Sequence, residues 1–379
     1  MKPYEQFVEN MLKAVRSGQG KDPMAATALI QDALKAAGLM GAAPQAFQQA
    51  PAQQAPAQDR SAPFVDLNPA PDWVARFKAR MPAMPGQGFG SPAKTVSPAT
   101  HGPGQFLSGS YTNEAGTRNY RLYVPSTPAP GPRPLVVMLH GCKQNPEDFA
   151  AGTTMNLLAE DSGCLVLYPE QTGSANHSHC WNWFEPAHQG RGQGEASLIA
   201  GMTREVVREH GLDAGRVYVA GLSAGGAMAA VLAAAYPDIY AAAGVHSGLA
   251  AGSAHDLMSA LNAMKGAAKK KRKAAASAKP VPVIVFHGDR DAIVHPSNGQ
   301  TVYQQFTQGA NLKESEERGA GHTRTMALDA AGKVVAEHWT MHGAGHAWSG
   351  GSAAGSYAEP SGPNASAEML RFFLAQRPR

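Results

Sequence analysis

Three residue types that together can activate an oxygen nucleophile occur in one order along the chain: a serine, then a carboxylate, then a histidine. The serine is Ser223, inside Gly221-Leu222-Ser223-Ala224-Gly225. A hydroxyl is a weak nucleophile at neutral pH; it needs an imidazole to take its proton and an acid to orient that imidazole. The acid candidates follow the apolar run Val283-Ile284-Val285-Phe286, in His287-Gly288-Asp289-Arg290-Asp291. Asp291 is preferred over Asp289 because two residues further on the loop has turned back toward the end of the strand. The base candidate is His346, in the glycine-flexible stretch Gly343-Ala344-Gly345-His346-Ala347-Trp348, with His342 as the alternative nearer the preceding strand. The chemistry this set performs is attack on an acyl carbonyl, which also requires two N–H donors for the developing oxyanion. One donor is the backbone of Ala224, directly after the serine. The second is the backbone of Cys142, in His140-Gly141-Cys142 after the run Leu135–Leu139.

Such residues act only if the fold carries them to one place. Arg216–Ala220 reads as a buried strand, and the alanine-rich segment from Gly226 to Tyr236, closed by Pro237, reads as a helix. The serine therefore sits on a strand–turn–helix connection, with the free N–H groups of a helix start beside it. Further apolar runs are Leu135–Leu139, Cys164–Tyr168, Ala241–Val245, Val283–Phe286 and Val334–Trp339, and Glu195–Glu209 reads as one of the helices between them. Phe106–Tyr111 and Tyr120–Val124 alternate around Gly116 as a hairpin. Apolar strands alternating with helices predict a mostly parallel sheet of about eight strands, covered on both faces. In α/β-hydrolase sheets serine, acid and histidine follow one another in this order on loops at the C-terminal ends of strands, and this chain supplies candidates in that order.

The chain has 379 residues, 43% hydrophobic and 16% charged, and no apolar run long enough to cross a bilayer. Residues 1–40 read as a helical hairpin: Phe7, Val8, Met11, Leu12 and Val15 share one face, and Asp22-Pro23 opens a second helix that stops at Gly38. Residues 41–104 are Ala-, Gln-, Pro- and Gly-rich linker and loop, and 105–379 form the catalytic domain. The start of the chain lacks the basic and apolar regions of a secretory signal, which predicts a cytoplasmic protein. Seven cations, Lys265, Lys269, Lys270, Lys271, Arg272, Lys273 and Lys279, fall in one stretch without an acid. Removing them from the formal net charge of +4 leaves −3 for the rest, so no general nucleic-acid surface is expected. The run 269–273 reads as a solvated surface insertion, with contact to an anionic surface such as a granule or nucleic acid as the other reading. Three cysteines make neither a disulfide framework nor a zinc pattern.

Taken together, Leu139-His140-Gly141-Cys142 with Gln144, Cys180-Trp181-Asn182-Trp183-Phe184, Gly221–Met228, His287–Asp291 and Gly345–Trp348 resemble the polyhydroxybutyrate depolymerase family of esterases, which includes feruloyl and acetylxylan esterases. The likeness runs from about Gln105 to Leu374. It implies an α/β-hydrolase fold, a triad of Ser223, Asp291 and His346, an oxyanion hole from Cys142 and Ala224, and no metal or organic cofactor. It also implies an ester substrate, with Trp181, Trp183, His140 and Trp348 as candidate substrate contacts, Cys142 and Cys180 as a candidate disulfide, and Cys164 as a buried thiol. Core packing is the other reading of the tryptophan stretch. A signal peptide and an appended polymer-binding domain, common among secreted relatives, are not visible. The expectation is a short member acting on oligomers, small acyl esters or amorphous granules, with removal of feruloyl or acetyl groups from plant polysaccharide as the second reading, export as the alternative to the cytoplasm, and granule or partner docking through residues 1–40 as the competing role.

Overall fold

The structure, a computed structural model, describes residues 102–127, 131–266 and 280–376. The expected helical hairpin at 1–40, the linker up to residue 101 and the basic run 269–273 lie outside the described residues.

Strands β1 (Gln105–Asn113) and β2 (Gly116–Val124) form an antiparallel hairpin. The Asn113 side chain takes the Ala115 N–H at 2.8 Å, and Gly116 supplies a φ of +121° at the turn. Strand β3 (Leu135–Leu139) leads to helices α1 (Pro146–Thr153) and α2 (Met155–Ser162), and then to β4 (Leu165–Pro169). Helix α3 (Gly194–Glu209), β5 (Val217–Leu222), α4 (Ala224–Ala235) and β6 (Ala242–His246) follow. After them come α5 (Leu257–Met264), β7 (Val283–Gly288), α6 (Ser297–Thr307), β8 (Lys313–Gly319), β9 (His322–Leu328) and β10 (Val334–Met341). A two-stranded pair, β11 (Trp348–Ser349) and β12 (Ala358–Glu359), and helix α7 (Ala365–Leu374) complete the described chain.

The main sheet has the order β1-β2-β4-β3-β5-β6-β7-β10-β9-β8. Its six central strands, β4-β3-β5-β6-β7-β10, are parallel, and an antiparallel hairpin extends each edge. Every residue of β3 through β7 is buried, which is why these strands read as unbroken apolar runs. The period of two survives in where the side chains go. Leu135, Val137, Leu139, Val217, Val219, Val283 and Val285 pack on one face, against Ile199 and Met202 of α3, Met228 of α4 and Val302 of α6. Val136, Met138, Tyr218, Ala220, Ile284 and Phe286 pack on the other, against Phe149 of α1, Met155 of α2 and Met369 and Phe373 of α7.

The sheet has ten strands rather than about eight. The two that the apolar pattern does not reveal are β8 and β9. All seven residues of β8, Lys-Glu-Ser-Glu-Glu-Arg-Gly, are exposed, and a charged edge strand carries no hydrophobic signal while it blunts edge-to-edge association. In β9, Arg324 reaches inward to the fully buried Glu337 of β10 at 2.8 Å, and Arg371 of α7 meets the same carboxylate at 2.7 Å. Those two guanidiniums and the Trp339 indole N–H compensate a buried charge that would otherwise cost several kcal/mol. Cys164 is a buried free thiol, as expected. Among the described residues no helix is long and apolar enough to cross a membrane.

Among the buried histidines of this core are His140 just past β3, His246 at the end of β6 and His338 in β10. Burial pulls them down, His140 and His338 to about 4 and His246 to about 3. In the unfolded chain they bind protons below about pH 6.5, whereas in the folded chain they stay neutral until far lower pH. Stability therefore falls with decreasing pH, by roughly 1.4 kcal/mol per pH unit for each histidine. Urea unfolding followed between pH 6.5 and 4.5 is expected to show uptake of about three protons.

Candidate active site

The C-terminal ends of the six parallel strands share one edge of the sheet, and the candidate residues gather there. Ser223 joins β5 to α4 with φ 57° and ψ −119°, a conformation that costs a non-glycine residue about 1–3 kcal/mol. Glycines on either side make it reachable. A Cβ on Gly221 would run into the Gly225 backbone, and one on Gly225 into the carbonyls of Leu139 and His140. The elbow is held by Ser223 N–H donating to His246 O and by Ala227 N–H donating to Ser223 O, both at 2.9 Å. Its side chain is partly exposed, and its hydroxyl has no hydrogen-bond partner among the described residues. No direct hydrogen bond joins it to His346 among the described residues; such contacts commonly tighten only when substrate binds.

Asp291 follows β7, and its carboxylate is buried. Oδ1 accepts the N–H groups of Ile293 at 2.9 Å and Val294 at 2.8 Å. Oδ2 lies 2.7 Å from His346 Nδ1 and 3.5 Å from His287 Nε2. Burial pushes the carboxyl upward. The contacts from His287 and His346, the charge of His346 and the Val294 N–H outweigh it and hold Asp291 well below the usual carboxylate range. An ionised carboxylate only accepts, so His346 carries its proton on Nδ1 and keeps the Nε2 lone pair for another partner. Asp289 does something else. It meets His342 Nδ1 at 3.0 Å and takes the Gly343 N–H at 2.7 Å, at a half-exposed position. With Arg290 N–H donating to Ala344 O, this second pair laces the acid loop to the histidine loop. His342 accordingly faces outward, not into the core.

Sequence reasoning passed over His246, although a histidine closing an otherwise apolar strand was a visible signal. Its carbonyl takes the Ser223 N–H, its Nε2 accepts the Ser349 N–H at 3.0 Å, and its ring stacks on Trp348 at 5.1 Å. The serine turn and the histidine loop are thereby fixed to one neutral ring. The acceptor role at Nε2 requires that neutrality.

The loop His140–Gln144 lies against the serine, with a Cβ on Gly141 falling 3.6 Å from Ser223 Cβ. Its backbone donors can be accounted for one by one. Gly141 N–H goes to Gln144 Oε1 at 2.9 Å, Lys143 N–H to Ser178 O at 2.7 Å and Gln144 N–H to Gly141 O at 3.3 Å. Cys142 N–H has no acceptor among the described residues. Ala224 is the first residue of α4, where a helix leaves its N–H groups uncommitted. The N–H groups of Cys142, next to Gly141 in that loop, and of Ala224, directly after Ser223, are therefore both uncommitted.

Cys142 is joined to Cys180 by a disulfide, which ties this loop to the tryptophan stretch. The four candidate substrate contacts stand elsewhere than expected. Trp181 (0% exposed), His140 (1%), Trp348 (1%) and Trp183 (5%) are in the core and present no face to a ligand. Each has a supporting task or neighbour there. The Trp181 indole donates to His140 O at 3.1 Å, Gln171 N–H donates to His140 Nε2 at 3.1 Å, and the Trp348 indole donates to Ser366 Oγ at 3.0 Å. Trp183 packs edge-on against Phe184. Beneath the stretch the buried Glu195 accepts the Asn182 N–H at 2.7 Å and the Gln171 amide at 2.5 Å. Among the described residues no group of three or more His, Cys, Asp or Glu side chains is arranged to hold a metal ion.

A ten-stranded, centrally parallel sheet with a strained serine at the end of β5, a carboxylate after β7 and a histidine after β10 defines an α/β-hydrolase. Residues 118–328 match the family described as esterase PHB depolymerase, more than half of the chain, and the chain belongs to that family. It is 34% identical over 248 residues to poly(3-hydroxyalkanoate) depolymerase C of Paucimonas lemoignei, covering 62% of this chain and 59% of that protein. It is 37% identical over 140 residues to feruloyl esterase B of Neurospora crassa, covering 37% and 46% respectively. The chain thus spans about half to three-fifths of the length of these relatives. Among solved structures, acetyl xylan esterase from Aspergillus awamori superimposes with a TM-score of 0.55 at 21% identity, over 68% of this chain and 94% of that one, a likeness of fold.

The disulfide closes a loop of 38 residues, so reduction should lower the unfolding free energy by about 2–4 kcal/mol. It should also lower the rate of ester hydrolysis by releasing the loop that carries the Cys142 N–H. Urea melts and initial rates with and without dithiothreitol, with a Cys142→Ser/Cys180→Ser double variant insensitive to reductant, check both effects.

Proposed function

We propose that the protein is a serine esterase that hydrolyses carboxylic esters through an acyl-enzyme, acting on polyhydroxyalkanoate polyester, its oligomers or short acyl esters. The observation that carries this reading is the Asp291–His346 pair at 2.7 Å, at the same sheet edge as a strained serine flanked by two uncommitted N–H groups. Ser223 Oγ attacks the ester carbonyl while His346 Nε2 takes the hydroxyl proton, and Asp291 stabilises the imidazolium. The carbonyl oxygen, now negative, is received by the N–H groups of Cys142 and Ala224. Collapse of the tetrahedral intermediate expels the alcohol, which leaves with the proton held by His346. Water then attacks the acyl-enzyme with His346 again as base, releasing the acid and restoring Ser223.

Exposed apolar side chains on the acid loop and on α5 favour an ester with an apolar acyl chain. Ile293 beside Asp291, and Leu257, Met258 and Leu261 on α5, are four of the seven large hydrophobic side chains exposed among the described residues. Helix α5 is joined to the acid loop through the His295 N–H bond to Met264 O. The polyhydroxyalkanoate depolymerase relative supports the same substrate class. The feruloyl and acetylxylan esterase relatives support a second reading, removal of acyl groups from polysaccharide. The two readings separate on a panel of hydroxybutyrate oligomers, feruloylated arabinoxylan and acetylated xylan. The first expects the oligomers to be turned over with the highest kcat/KM. Either way, Ser223→Ala should lower kcat on p-nitrophenyl butyrate by at least about 10⁴-fold.

A further inference from the structure

Gln144 is a buried side chain with no place in the reaction just described, and every polar atom of its amide is committed. Its Oε1 accepts the Gly141 N–H at 2.9 Å. Its Nε2 donates to Asp148 Oδ2 at 3.0 Å and to Ser356 O at 3.0 Å, with Ser356 Oγ at 3.3 Å. Asp148 is buried too, and it receives the Ser356 N–H at 2.8 Å and the Ser356 hydroxyl at 2.5 Å. Asn145 caps helix α1 by taking the Asp148 N–H at 2.8 Å, which anchors the same residues to the start of that helix.

The orientation of the amide is dictated by this chemistry. Asp148 Oδ2 and Ser356 O are acceptors, so the NH₂ group must face them and the carbonyl oxygen must face Gly141. Gly141 N–H is thereby held away from the cleft, and the next peptide, which carries the Cys142 N–H, is left as the free donor. Ser356 lies in the segment after His346, so the same four residues tie the oxyanion loop to the segment that follows the base. The opposite flank of the loop is held separately, by the Cys180 disulfide and by Ser178 O.

We propose that Gln144 is a positioning residue for the oxyanion hole, acting through Gly141 to aim the Cys142 N–H and through Asp148 to keep that loop in register with Ser356. The proposal rests on the esterase reading of Ser223. Gln144→Met keeps the length of the side chain and removes its acceptor and its donors. Full loss of one oxyanion donor costs about 10²–10³ in kcat, and misaiming one should cost about 10- to 100-fold, with KM changed less than about threefold. An alkyl boronic acid, which becomes tetrahedral on Ser223, should lose affinity by the same factor as kcat/KM, because both report transition-state binding. A purely structural loss of folded protein would lower the active fraction without weakening the boronate on the molecules that remain. Should Gln144→Met fail to fold, Ser356→Ala reads the same network from its far end, with kcat/KM and boronate affinity falling together by about two- to fivefold. A folded Gln144→Met with kcat within twofold of wild type, or one whose kcat falls while boronate affinity holds, overturns the proposal. A wild-type protein that neither hydrolyses p-nitrophenyl esters nor binds the boronate removes the esterase reading instead.

Discussion

A carboxylate taken out of water must be compensated on all sides, and at Asp291 that requirement organises the catalytic edge. Leaving such a group without partners would cost several kcal/mol, so its contacts are structural necessities in the first place. Two come from the loop itself, as the N–H groups of Ile293 and Val294, and one from His346 at 2.7 Å, while His287, whose Nε2 meets Val294 O at 2.8 Å, approaches at 3.5 Å. The loop closes on itself and simultaneously requires a histidine from the neighbouring strand's extension. β7 and β10 are adjacent and parallel, so both loops emerge at the same edge, and the Asp289–His342 pair fastens them once more. Ionisation of Asp291 then fixes the tautomer of His346, which leaves the lone pair on its outer nitrogen.

The serine is positioned by a different economy. Its backbone is strained, and the compensation comes from the close approach of β3, α4 and β6 that the glycines at 221 and 225 and the alanine-rich helix allow. His246 completes the link, since one neutral ring and its carbonyl hold the serine turn and the stretch after His346. Neutral histidines inside the sheet are thus part of the same design as the ionised aspartate. Burial lowers the one set, and hydrogen bonding lowers the other. Both make the folded state dependent on pH in the same direction, because in each case the unfolded chain binds more protons as pH falls.

Much of this was legible in the chain. Apolar strands and the glycine-flanked serine are local signals, and the order serine, acid, histidine is a property of sequence alone. The preference for Asp291 over Asp289 followed from how far a loop must travel before it turns back. What escaped were features that depend on partners distant in sequence. Strand β8 is entirely exposed and charged, so neither period nor composition reveals it, and β9 is held by Glu337 and Trp339 of the next strand. The tryptophans and His140 were read as ligand contacts from their place near the site. Their burial favours the core-packing reading that stood beside it, with Trp181 bonded to His140 O and Trp348 to Ser366. Gln144 and Asp148 look like ordinary polar residues at a helix start until Ser356, more than two hundred positions away, is set beside them.

The central claim is that the hydroxyl of Ser223 is made nucleophilic by the Asp291–His346 pair. A fluorophosphonate tests it directly: an activated serine displaces fluoride and keeps the phosphonyl group, and peptide mass spectrometry locates the adduct. The account predicts one stoichiometric adduct, on Ser223, formed at a rate that collapses by about 10²-fold or more in His346→Ala. An adduct on another residue, no adduct at all, or labelling of Ser223 at an undiminished rate in that variant would contradict it.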